Sequence, residues 1–194
     1  MPAGGEAGPP RVVGRGGRAG EVVVVRLAKG DRLLESLREI CRREKIRNGV
    51  ILTGFGSLSR SRVTGVVSPA YPPTRFYDNR ARAGVEILAL SGLIADYHVH
   101  AHVVLCDRRK AFGGHLEEGC RVLSLSEIAI LRLDRLKLER VLDPTTGQKL
   151  LRVTRRYGRD GGDQEGSLLA VQRRLARRRV RPRRRRTPSS SPSP

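Results

Sequence analysis

After one helical stretch, this chain runs through eight segments that read as strands, and no helix separates them. Parallel neighbours need crossover connections of a dozen or more residues, so these strands must pair mainly antiparallel. The pattern begins with Glu21 to Leu27 (E-V-V-V-V-R-L), a β-branched run. Asp31 then stands as a helix N-cap, and Leu33, Leu34, Leu37, Ile40 and Cys41 recur at helical spacing through Ile46. The opposite stripe of that helix, Arg32, Glu35, Arg38, Glu39, Arg42 and Arg43, reads as a solvated face. The later strands are expected at Val50 to Gly56, ending in a glycine turn, and at Arg62 to Val67. Further strands are expected at Val85 to Leu93, Tyr97 to Leu105, Cys120 to Val122 and Glu127 to Leu133. A final pair, Lys137 to Leu142 and Gln148 to Val153, brackets the turn D-P-T-T-G, while the Pro- and Tyr-rich residues 68–83 suggest a long loop or irregular strands. The fold class is therefore α+β: a mainly antiparallel sheet packed with one or two helices, the second around Leu168 to Arg179.

All four histidines lie in one 18-residue window, as D-Y-H-V-H-A-H-V-V-L-C-D and then R-R-K-A-F-G-G-H-L-E-E-G. On a strand, residues i, i+2 and i+4 share a face, so His98, His100 and His102 form a row with neighbours about 7 Å apart. Two such imidazoles can converge on one small cation. A third from a nearby turn, His115, would leave a coordination position open. Neutral imidazole suits zinc first, with nickel, cobalt and iron as alternatives. A packed or solvent-facing row of histidines would show the same alternation, but would not concentrate every histidine of the chain in one window.

Charge divides the chain unevenly. The formal net charge is +20, and residues 152–194, with 14 arginines against three acids, hold +11 of it. The densest run carries Arg173, Arg174, Arg177, Arg178, Arg179, Arg181, Arg183, Arg184, Arg185 and Arg186. Such a run suits polyanions, DNA before an anionic membrane, with mostly non-specific phosphate contact. The bland reading is a solubilising extension. Three domains of behaviour follow: a disordered segment 1–20, a folded domain 21–153 and a disordered basic tail 154–194. Three cysteines with no CxxC pair give no disulfide framework, no 18-residue apolar run is present, and M-P-A-G-G-E-A-G-P-P-R lacks a signal-peptide core. The expectation is a cytoplasmic protein without membrane contact, associated with the nucleoid if prokaryotic.

Five stretches taken in order resemble the plant-and-prokaryote-conserved (PPC) domain. They are L-A-K-G-D-R-L-L-E-S-L-R-E-I-C-R-R-E-K-I, T-G-F-G-S-L, G-V-E-I-L-A-L-S-G, H-V-H-A-H-V-V-L-C-D and G-G-H-L-E-E-G-C. The resemblance spans roughly residues 21–153 and implies a compact α+β domain that assembles as a homotrimer. It also implies a divalent metal held by two strand histidines and the histidine of the G-G-H-L loop. Aligned on Asp107, these are His100, His102 and His115, which leaves His98 without a required role. Plant members carry AT-hooks. Here R-G-G-R-A-G at Arg15 to Gly20 and V-R-P-R-R-R-R depart from the R-G-R-P core, so no minor-groove specificity is implied.

Three functions are open at this point. The first is a DNA-associated protein, with a metal-binding trimeric core and basic tails. The second is a zinc enzyme similar to acetolactate decarboxylases, which also use a His-x-His strand and a later histidine. Glu117 and Glu118 adjoin His115, and Glu86 and Glu127 lie on neighbouring strands; they would serve as acid/base groups or, with His98, as hydrogen-bond supports of the imidazoles. The third is a trimerisation and protein-interaction module whose metal is structural.

Overall fold

The computed structural model describes residues 18–70, 72–144 and 146–156. Within them lie one helix and eight strands: β1 (Arg18–Ala28), α1 (Leu33–Arg43), β2 (Asn48–Val66), β3 (Arg75–Ala95), β4 (His98–Cys106), β5 (Ala111–Leu116), β6 (Arg121–Asp134), β7 (Leu136–Leu142) and β8 (Lys149–Arg156). Six form a sheet in the order β1-β6-β2-β3-β4-β5, and every pairing is antiparallel. β5 also pairs with β2, so strands β2 to β5 close on themselves. β7 and β8 form a separate hairpin. The architecture is the α+β class expected, with one helix among the described residues. The second expected helix, and the arginine run, lie outside them.

α1 buries Leu33, Leu34, Leu37 and Cys41 against a core that includes Val25, Leu27, Ile51, Leu90, Ile94, Leu105 and Ile130. Its start corrects the sequence reading. Arg32, not Asp31, occupies the N-cap position and makes no side-chain cap. The Asp31 carboxylate instead accepts from the Ala28 N–H at 2.8 Å and closes the β1–α1 turn. The Leu33 N–H, free of any cap, donates to the Cys120 carbonyl at 3.0 Å, so the residue before β6 satisfies a helix end that a polar cap otherwise would.

The strands are longer than the sequence suggests. Val50–Gly56 and Arg62–Val67 are two halves of β2, because Gly56 is no turn. It sits at φ 142°, where an added Cβ would strike the Leu125 carbonyl and Ser126. The strand runs on through register shifts at Ile51/Thr53, Gly56/Leu58 and Leu58/Arg60. In the same way Cys120–Val122 and Glu127–Leu133 merge into β6, and β3 begins at Arg75 inside the stretch expected to be irregular. β1 starts at Arg18, three residues earlier than expected.

β5 was not expected as a strand at all, since its Gly113-Gly114 pair reads as a turn. The pair lets backbones meet. A Cβ on Gly113 would collide with the Val103 carbonyl oxygen of β4, and one on Gly114 with the Thr64 carbonyl oxygen of β2. Asn48, buried at the start of β2, ties the hairpin to the sheet. Its Nδ2 donates to the Leu136 carbonyl at 2.5 Å, and its Oδ1 accepts from the Leu138 N–H at 3.1 Å.

Gly113→Ala should therefore destabilise the protein by about 1–3 kcal/mol, the usual cost of forcing atoms into a filled space. Gly84→Ala, where the nearest atom would lie 3.9 Å away, should change stability little. Thermal or urea unfolding of the two variants checks the contrast, and equal losses would refute the close-approach account.

Candidate metal centre

Two tight connections set the histidine geometry. Asp96 and Tyr97 form a two-residue turn between β3 and β4, both with positive φ (51° and 64°). Arg47 supports it from outside the hairpin, with Nε donating to Asp96 Oδ1 at 2.7 Å and its carbonyl accepting from the Tyr97 N–H at 2.9 Å. That turn puts His98 opposite Ala95, His100 opposite Leu93 and His102 opposite Ser91. The second connection, Asp107 to Lys110, is organised by one carboxylate. Asp107 accepts from the Arg109 N–H at 2.7 Å, the Lys110 N–H at 3.0 Å and Arg80 Nη1 at 2.7 Å. Those three donors hold its pKa down at about 2. Arg80 in turn lies over the Phe112 ring, 3.5 Å from its centroid. With Cys106 paired to Ala111, the register places His115 directly opposite His102.

His115 is thus a strand residue of β5, not part of a loop, and it also faces Thr64 of β2. The ligand-capable atoms of His100, His102 and His115 all lie within 4.8 Å of one another. Ring centroids are 4.7 Å apart for His100 and His115, and 5.4 Å for each of the other two pairs. Val99, Ala101 and Val103 are buried between them on the core face, so the histidines stand on the opposite, accessible face of the sheet. His98 belongs to that face but not to the triplet.

The three rings line an open cleft of about 440 Å³ with His98, Thr64, Gly65, Val66 and the basic residues Arg75, Arg140 and Lys149. Glu86 and Glu127 are not among its lining residues. Glu86 pairs with Ser57 and Cys106, and Glu127 with Arg26 and Phe55, several residues along the strands from the rings. Glu118 is engaged by Arg38. The direct supports expected from Glu86 and Glu127 are therefore displaced. The sequence reading also missed Arg75, Arg140 and Lys149. Arg140 alone left a trace, since it falls in phase with buried Leu138, on the side of β7 where an apolar residue would be expected.

Burial and the nearby Arg140 guanidinium push His100 down to about 4, with His115 and His102 adding smaller effects. Burial also lowers His98 and His115, the latter opposed in part by the Glu117 carboxylate. Neutral imidazoles carry the free lone pair that a divalent metal needs. Three imidazole donors within 4.8 Å fit one small cation and leave room for a further ligand from the cleft.

Comparison with known proteins agrees with this architecture. The sequence pattern of the Plants and Prokaryotes Conserved (PCC) domain matches residues 14–134, and the chain belongs to that family. A plant- and prokaryote-conserved protein of Pyrococcus horikoshii is 26% identical with a TM-score of 0.62, over 72% of this chain and 96% of that one. A metal-containing protein of Archaeoglobus fulgidus is 24% identical with a TM-score of 0.62, over 73% and 98%. A presumed DNA-binding protein of Ralstonia eutropha JMP134 is 23% identical with a TM-score of 0.56, over 66% and 88%. Two Synechococcus proteins named bifunctional protein GlmU match at 29% and 30% identity over 69% and 78% of this chain. The aligned region spans only 20% and 23% of their lengths.

The depressed His100 pKa fixes the sign of a pH effect in metal-free protein. The folded state binds fewer protons than the unfolded chain between about 6.5 and about 4. Its stabilising contribution is complete above 6.5 and is lost as the pH falls towards 4. With EDTA present, the melting temperature should drop across that window, and His100→Gln should flatten part of the drop. An unchanged slope in the variant would refute the assignment.

Proposed function

We propose that this chain is a DNA-associated protein in which a metal-binding, homotrimeric PPC core carries basic tails that hold nucleic acid through largely non-specific phosphate contacts. The observation that carries the DNA reading is the tail itself, with ten arginines between Arg173 and Arg186. Neutralising several phosphates releases condensed counterions, which gives affinity without base recognition. The metal belongs to His100, His102 and His115, with zinc as the first choice for three neutral imidazoles. Relatives of the same fold are described as metal-containing or presumed DNA-binding, but that likeness concerns fold, and the reading rests on this chain's own residues.

A trimer is supported by an apolar surface. Leu52, Phe55, Leu88, Val104, Leu123 and Leu125 are each between 39% and 55% exposed, and they alternate with core positions along β2, β3, β4 and β6. A patch of that kind suits burial against other copies of the chain. Ile87 and Leu90 of β3, by contrast, are core residues. No helix among the described residues is long and apolar enough to cross a membrane. Association with the nucleoid in a prokaryotic cytoplasm follows from the DNA reading.

A zinc-enzyme reading has one observation in its favour, the open cleft above the triplet. Against it, no Asp or Glu lines that cleft among the described residues, so the proton transfer that hydrolytic or decarboxylating chemistry needs would fall to His98 or Lys149.

Gel shifts over a salt series test the tail. Full-length protein with six to ten phosphate contacts should lose about 10³–10⁵ in affinity between 50 and 200 mM salt. A chain ending at residue 156 should lose most retention. His100→Ala should keep DNA and lose its metal, from about one ion per chain to none. Absence of retention at low salt in full-length protein would end the DNA reading. For assembly, light scattering should give the mass of three 21.4 kDa chains, and Phe55→Glu should give single chains. A monomeric wild type would refute the trimer.

A further inference from the structure

The cleft over the histidines is more basic than a metal site needs. Arg140 and Lys149 reach it from the β7–β8 hairpin and Arg75 from the start of β3. The Nε of Arg140 is buried with no hydrogen-bond partner. Its Nη1 makes one long contact, 3.4 Å to the Lys149 carbonyl. Burial lowers its pKa, and no carboxylate offsets that loss.

Other half-buried arginines are treated differently. Arg80 is held by Asp78 and Asp107, and Arg132 by Glu21 and Asp134. Arg140 makes no ion pair among the described residues, and no acidic side chain lines its cleft. Taking a guanidinium partly out of water without a carboxylate partner is costly, and an anion entering the cleft would offset that cost.

We propose that this cleft binds a small oxyanion, a carboxylate or phosphate group, with its oxygens between Arg140 and the open position of a metal on His100, His102 and His115. Arg75 and Lys149 add positive charge at the rim. The proposal rests on the metal reading for one of its two anchors and on Arg140 for the other. At about 440 Å³ the cleft has the capacity of a small-molecule site, and Val66 gives the rest of such a ligand an apolar neighbour. The planar guanidinium matches the paired oxygens of a carboxylate or phosphate, which favours this class over halide or neutral ligands.

The test uses full-length protein loaded with Co(II), whose visible spectrum responds to a new ligand. Methylphosphonate and acetate are titrated separately at constant ionic strength set with chloride, to distinguish the two oxyanion sources. Either probe should shift the spectrum to saturation. Arg140→Gln should raise the half-saturating concentration about tenfold or more, Arg140→Lys should recover part of it, and Lys149→Gln should cost less. Because every variant keeps the arginine tail, binding of probe to the tail cancels. A spectrum unmoved by both probes, or Arg140→Gln responding like wild type, would overturn the proposal. Should the protein take up no cobalt, the metal reading fails separately. The oxyanion claim is then decided by the melting temperature of metal-free protein, which either probe must raise in wild type and not in Arg140→Gln. A duplex oligonucleotide that moves the cobalt spectrum as the small anions do would make the DNA backbone the occupant and end the small-ligand proposal.

Discussion

Everything at the histidine face depends on the register of β5 between β4 and β2. Because side chains alternate at every residue, a slip of one position would turn His115 into the core and bring Leu116 out. Two devices prevent it. The Asp107 carboxylate fastens the connecting turn through two backbone N–H groups and Arg80. Gly113 and Gly114 then permit an approach to Val103 and Thr64 that no side chain would tolerate. A shifted β5 would place Phe112 or His115 where only a glycine fits, so sterics and turn chemistry select the same register.

The closed strands also explain the electrostatics. Setting β5 against both β4 and β2 brings three imidazoles together on a face that the β7–β8 hairpin partly covers, with Asn48 holding that hairpin in place. Partial burial then lowers the pKa of His98, His100, His115 and Arg140 alike. It favours the neutral form of those three imidazoles and makes the Arg140 charge expensive. Neutral imidazoles are good metal donors, while an uncompensated guanidinium is a good anion acceptor. Both tendencies favour external ions of opposite sign meeting in one cleft.

Sequence carried the fold class and the histidine grouping because both depend on short-range pattern. Alternation made the His98 to His102 row legible, and the helical stripe Leu33, Leu34, Leu37 and Cys41 matched the buried face of α1. Glycine was where the reading went astray. Gly56 and the Gly113-Gly114 pair look like punctuation in a sequence, yet each marks a close backbone approach, and those of Gly56 to Leu125 and Gly114 to Thr64 join strands distant along the chain. Local pattern holds no record of a neighbour 70 residues away. The same limit hid the Cys120 carbonyl that replaces a helix cap, and the convergence of Arg75, Arg140 and Lys149, which come from three strands.

Where DNA contact would arise follows from how charge is disposed on the folded part. α1 offers the one helical surface among the described residues, and its basic stripe is largely answered locally: Arg32 by Glu35, Arg38 by Glu118 and Arg43 by Glu44. A helix so neutralised has little excess charge for a phosphate backbone, and nothing in its polar stripe forms a base-reading set. Affinity would then come from the arginine run, whose contacts carry no sequence information. Under that condition the number of tails held on one body matters more than any single side chain, because a second tail binds at the effective concentration set by the first. The apolar face around Phe55 would then govern DNA affinity indirectly, by setting how many tails act together.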